Sequence, residues 1–122
     1  MKKANSFRES FGYAWRGFRH CLTHERNFRV HTVMGLIALC LGLLLKLSAG
    51  EMAVLLLVIA AVLCAEMVNT AFENLVDLCT ETFHPLAKTA KDVAAGAVLI
   101  FCFFAVLIGI VLFVPRILSL FM

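Results

Sequence analysis

A chain of 122 residues that is 62% hydrophobic and only 16% charged, with a mean hydropathy of +0.95, lies outside the range of a water-soluble domain. Its charges, a formal net +3, are clustered, so uncharged stretches long enough to cross a bilayer remain between them. A cleaved secretory signal is not expected, because polar residues continue to His31 where an apolar core would have to follow the basic start.

The first element expected is a helix over about residues 5–27. Phe7, Phe11, Ala14, Trp15, Phe18, Cys21 and Leu22 recur at helical spacing on one arc, with Arg8, Arg16 and Arg19 on the other side. Aromatics opposite arginines suit a helix lying in the membrane surface, its bases near anionic headgroups, and argue against nucleic-acid binding. A first span follows over about residues 30–47, and the segment Lys46 to Glu51 makes a turn. The second apolar run stops at Ala65, too short to cross, so its helix must continue through Glu66, Asn69 and Glu73 to give a span of about residues 52–78. Residues 80–85 break the pattern. A third span over residues 93–114 is expected to end at Pro115. The whole reads as one all-α integral membrane domain over residues 1–122, with three transmembrane helices and an N-terminal amphipathic surface helix.

Seven Lys/Arg against two acids precede the first span, whereas the first turn and the C-terminal tail hold little charge. The N-terminus and the loop over residues 80–91 are therefore expected on the cytoplasmic side of a bacterial plasma membrane and the C-terminus outside. Ala61 and Ala65, and Ala105 and Gly109, place small residues one turn apart, a pattern that lets helix backbones approach. The five cysteines are expected to be reduced apolar fillers, and the four histidines interfacial or loop groups without metal.

On a helix drawn at about 100° per residue, Glu66, Asn69, Glu73 and Asp77 fall within about 80° of one another. A carboxylate at membrane depth costs several kcal/mol unless it is paired, protonated or lining a wet cavity, so the stripe is a functional site by default. Glu25, with Arg26 and Arg29, and the pair Lys91-Asp92 can join it from the cytoplasmic segments. Oxygen ligands with nearby lysine and arginine suit a magnesium nucleotide, and a buried carboxylate beside it can activate an attacking hydroxyl. Neither a phosphate-binding G-x-x-x-x-G-K-[ST] loop nor the protein-kinase motifs are present. A small ion-coupled transporter is the main rival; it calls for a lone acid facing a pore, whereas the stripe extends outward to Glu73 and Asp77.

The runs AEMVNTAFENLVDL and HPLAKTAKDVAAGAVL, with GYAWRGFRHCLTHERNFRVH upstream, closely resemble the small prokaryotic diacylglycerol kinase family over about residues 6–114, and its undecaprenol kinase branch in particular. The resemblance implies a domain-swapped homotrimer that uses magnesium ATP to phosphorylate a membrane lipid alcohol at the cytoplasmic interface. It places the catalytic base on Glu66, an active-site asparagine on Asn69, and metal-binding carboxylates on Glu25 and Glu73. It places nucleotide contacts on Tyr13, Glu25, Glu73, His84, Lys91 and Asp92. The turn Thr82-Phe83-His84 departs from the Gram-negative form, and only His84 transfers. His31 stands where that form has an acid, and the segment His24 to Arg29 has the undecaprenol kinase look, so undecaprenol is expected ahead of diacylglycerol. Trp15, Phe28 and Arg29, with Phe7 and Phe11, are expected along the lipid groove.

Overall fold

The structure is a computed structural model that describes residues 6–122; residue 5, the start of the expected surface helix, lies outside it. Four helices follow in chain order: α1 (Phe7–His24), α2 (Arg26–Leu44), α3 (Ala49–Cys79) and α4 (Pro85–Ser119). No strand occurs among the described residues. α2, α3 and α4 are each long and apolar enough to cross a membrane, yet only 17%, 17% and 11% of their most apolar windows is buried inside the chain. Leu57, Leu99 and Val111 are each at least 70% exposed. So much outward apolar surface is stable only where lipid or other apolar partners cover it, and the chain is a multi-pass membrane protein.

Each helix starts and stops for a local reason. Ser6 caps α1 by accepting from the Glu9 N–H at 3.3 Å. Ser48 and Glu51 exchange caps at the start of α3, Glu51 N–H to Ser48 Oγ at 3.3 Å and Ser48 N–H to Glu51 Oε2 at 2.8 Å. His84 caps α4, its Nδ1 accepting from the Leu86 N–H at 3.2 Å, with Pro85 in the first turn. At the end of α2 the chain turns through Lys46, whose φ of 54° is left-handed. The N–H groups of Lys46 and Leu47 then reach back to the carbonyls of Leu43 and Gly42 at 3.1 and 2.9 Å.

Several boundaries differ from expectation: α4 begins at Pro85, so residues 85–91 of the expected loop are helical. α1 stops at His24 because Glu25 is extended (φ −94°, ψ 114°), and this single residue joins α1 to α2. Pro115 does not end the last helix, which runs on to Ser119. A proline costs one intrahelical hydrogen bond, but one turn from the end of α4 little helix depends on that bond. The segment beyond it is also held: the Arg116 guanidinium donates two parallel bonds of 2.7 Å to the Glu51 carboxylate.

α3 packs most extensively on α4, less on α2, and α1 touches α2 and α3 through Phe18 and Cys21. Two glycines of α2 are pressed closely by neighbouring side chains. A Cβ on Gly35 would stand 2.9 Å from Ile59, and one on Gly42 would stand 2.9 Å from Leu47. Ala61 and Ala65 instead line an open apolar cleft of about 790 Å³ between α3 and α4, and a Cβ on Gly109 would meet only ordinary contact.

Candidate active site

The polar residues of α3 separate into neighbourhoods as soon as the other helices are added. Glu66 is 4% exposed, and its Oε1 lies 3.1 Å from Nε2 of His31 on α2. The same Nε2 lies 3.7 Å from Cys102 Sγ on α4. One turn along α3, the Asn69 amide donates to Glu73 Oε1 at 2.9 Å, and Asn69 Oδ1 is buried with no partner among the described residues. Glu25 and Glu73 both stand close enough to Glu66 to act on it electrostatically. Glu66, Asn69, Glu73 and Glu25 therefore form one acidic neighbourhood at the end of the bundle where α1 meets α2.

Glu25 occupies the N-cap position of α2, where a carboxylate ordinarily bonds the first free N–H groups, yet its side chain makes no capping bond. Arg29 instead braces this junction, its Nη1 donating to the Thr23 carbonyl at 2.8 Å. Behind the junction Phe28 is fully buried, edge-on to Phe18 at 5.5 Å, and Phe18 stacks on Trp15 at 5.6 Å. Phe28 thus supports the groove wall from within and presents no ring to a lipid chain; Phe7, Phe11 and Trp15 are exposed. Cys21 is buried on the same seam and shares a side-chain hydrogen bond with Thr70; burial pushes its thiol up, so it stays neutral filler.

The remaining nucleotide candidates have other partners in a single chain. Lys91 pairs with Asp77 across α3 and α4, and Asp92 pairs with Lys88 one turn back on α4. His84 is taken up in capping, and Tyr13 lies under the Arg16 guanidinium at 4.6 Å. His20 and His24, one turn apart, stack at 4.6 Å and do show the spacing of a histidine pair. Among the described residues no three His, Cys, Asp or Glu side chains converge as a metal site.

His31 enters the sequence reading only as a mark of the undecaprenol kinase branch, and its contact with Glu66 was not expected. It was expected at an interface or in a loop, and it sits within α2 against the most buried acid of the chain. The available signal was a second polar residue at span depth, which has the same functional presumption as an intramembrane acid.

Residues 12–113 match the family described as prokaryotic diacylglycerol kinase. The chain is 42% identical over 112 residues to the undecaprenol kinase of Bacillus subtilis, covering 92% of this chain and 91% of that protein. It is 46% identical over 112 residues to a diacylglycerol kinase of Synechocystis, spanning 91% of this chain and 64% of that longer protein. It is 33% identical over 96 residues to the diacylglycerol kinase of Escherichia coli, 79% of each chain. The chain belongs to the prokaryotic diacylglycerol kinase family. Membership covers every element described above from the second turn of α1 to the end of the apolar part of α4.

Proposed function

We propose that this protein transfers the γ-phosphate of ATP to the hydroxyl of a membrane lipid alcohol, undecaprenol ahead of diacylglycerol, at the cytoplasmic end of its helix bundle. The observation that carries this reading is the buried carboxylate of Glu66 inside a spanning helix, with Glu25 and Glu73 close by. Such a group is costly in a membrane and has little structural use there, but it can take the proton of an attacking hydroxyl. Family membership agrees with this class of reaction.

Glu66 acts as the base and Asn69 orients the groups beside it. The donor set fits magnesium: Glu25 is free of ion pairs among the described residues, Glu73 holds only the Asn69 amide, and Asn69 Oδ1 is an oxygen without a partner. Glu25 and Glu73 would hold the ion, phosphate oxygens would complete its shell, and the charge it supplies would offset that of the transferring phosphoryl group. Tyr13, His84, Lys91 and Asp92 are assigned to ATP on family resemblance. Their present partners can yield to phosphates, since exposed ion pairs such as Lys88–Asp92 contribute little stability.

A homotrimer with sites shared between copies follows the same resemblance. It is supported by the open apolar cleft between α3 and α4, which Asn69 lines and which a single chain leaves uncovered. α1 lies on the cytoplasmic surface, Phe7 and Phe11 turned to lipid and the arginines to headgroups and phosphates. The basic N-terminal segment puts that surface inside the cell.

The deciding experiment offers purified protein in mixed micelles labelled ATP with undecaprenol or diacylglycerol separately. Phosphorylation of undecaprenol at least about tenfold more efficiently than diacylglycerol is expected, a gap of about 1.4 kcal/mol in transition-state binding. An aromatic, apolar groove leaves the ester carbonyls of diacylglycerol without hydrogen-bond partners. Equal or reversed efficiencies would remove undecaprenol as the preferred substrate, and no transfer to either lipid would remove the kinase reading.

A further inference from the structure

His31 is the one described side chain that makes polar contact with two other helices, reaching Glu66 on α3 at 3.1 Å and Cys102 on α4 at 3.7 Å. Its distance from Glu66 is built into the packing. One turn further along α2, Gly35 lies against Ile59 so closely that a Cβ would meet the isoleucine at 2.9 Å, and this contact fixes the separation of α2 and α3. Glu66 in turn is buried, and His31 is its hydrogen-bond partner among the described residues.

Resting on the kinase reading above, we propose that His31 is a positioning residue for the phosphoryl-transfer reaction: its Nε2–H holds Oε1 of Glu66 and so aims the other carboxylate oxygen at the lipid hydroxyl. A neutral imidazole protonated on Nε2 donates one hydrogen bond and leaves the second carboxylate oxygen with its lone pairs free. A carboxylate on a flexible two-carbon stem, buried and otherwise unheld, samples several rotamers. A base must stand about 2.6–3.2 Å from the proton it removes, and a displacement of about 1 Å costs up to about a hundredfold in rate. Cys102 Sγ on α4 lies 3.7 Å from the same Nε2, so the edge of the imidazole that meets Glu66 is also packed from α4. The apolar cavity of about 350 Å³ beside this pair, lined by His31, Gly35, Val62 and Cys102, contains no other polar group able to replace the imidazole.

The test compares His31→Leu, His31→Gln and His31→Asn in the micelle assay, with wild type and Glu66→Gln as references and thermal midpoint and oligomer size recorded for each. Glutamine places an amide N–H near the Nε2 position, whereas asparagine falls short of it. The expected result is a kcat at least about tenfold lower for His31→Leu, KM for ATP and for lipid each within about twofold, and recovery by His31→Gln to within about threefold of wild type. Where His31→Leu fails to assemble, His31→Gln against His31→Asn carries the same comparison, glutamine active and asparagine reduced. A His31→Leu enzyme with unchanged kcat, an effect confined to KM, or equal loss in the glutamine and asparagine variants would overturn the proposal. Wild-type protein inactive on both lipids would instead overturn the function itself, and the role of His31 with it.

Discussion

The two ends of the helix bundle are built to opposite standards. At the Glu51 end, Ser48 and Glu51 cap each other, Arg116 binds both oxygens of the same carboxylate, and the carbonyls at the end of α2 are closed by the turn at Lys46. At the Glu66 end, Glu25 occupies a cap position without capping, Asn69 Oδ1 has no described partner, and three carboxylates crowd one neighbourhood. Folding alone favours the first arrangement, since unsatisfied polar groups and like charges destabilise. A chemical use is the usual reason for keeping the second, and on the function proposed above the contrast marks the site.

The sharpest way to break this comparison is at Glu66. Glu66→Gln keeps size and hydrogen bonding to His31 but removes the base, and turnover should fall by at least about a thousandfold while oligomer size and thermal midpoint hold. Loss of assembly together with activity would make Glu66 a structural group like Glu51. Near-wild-type turnover would remove it from the reaction.

Next in size are the two carboxylates beside it. Glu25→Gln and Glu73→Gln should each raise the magnesium needed for half-maximal rate by about tenfold or more, with the smaller effect on rate at saturating magnesium. In Glu73→Gln the side-chain carbonyl can still accept from the Asn69 amide, so its effect, like that of Glu25→Gln, should come from the lost charge. An unchanged magnesium dependence in both variants would exclude them as ligands.

Much of this contrast was legible in the sequence, because the signals are periodic within one helix. The three spans, the extension of α3 past Ala65 and the shared face of Glu66, Asn69 and Glu73 all follow from counting along a single element. What failed to show depends on the rotation of one helix against another. His31 reads as interfacial until α2 is turned to face α3, and Phe28 reads as a groove wall until it is seen buried under Phe18. The close packing at Gly35 was hidden for the same reason, since only the position of Ile59 reveals it. Pro115 misled through a local rule that is weak in the last turns of a helix, where a distant partner, Glu51, outweighs it.

The clamp at the far end should respond to mutation in the opposite sense to the site. Arg116→Met and Glu51→Gln should each lower the thermal midpoint with kcat unchanged. Combined, they should lower it by less than the sum, because both remove one bidentate pair. Strict additivity would mean that the two groups do not act on each other, and a fall in kcat at unchanged stability would tie this end to catalysis.

The smallest expected effect is at Lys46, and it has the opposite sign. A residue with a Cβ in the left-handed region costs about 1 kcal/mol relative to glycine, and Lys46 occupies that region with a φ of 54°. The turn retains it because the N–H groups of Lys46 and Leu47 close two carbonyls of α2. Lys46→Gly should relieve the steric cost while adding freedom to the unfolded chain, for a net gain of about 0.5 kcal/mol. Lys46→Ala separates the backbone from the charge: it keeps the Cβ and removes a positive charge two residues beyond the C-terminus of α2, so it should be slightly less stable than wild type. Thermal midpoints of the three proteins in one detergent decide the matter. A gain in both variants would mean that the positive charge, and not the left-handed backbone, is the unfavourable feature of this otherwise closed end.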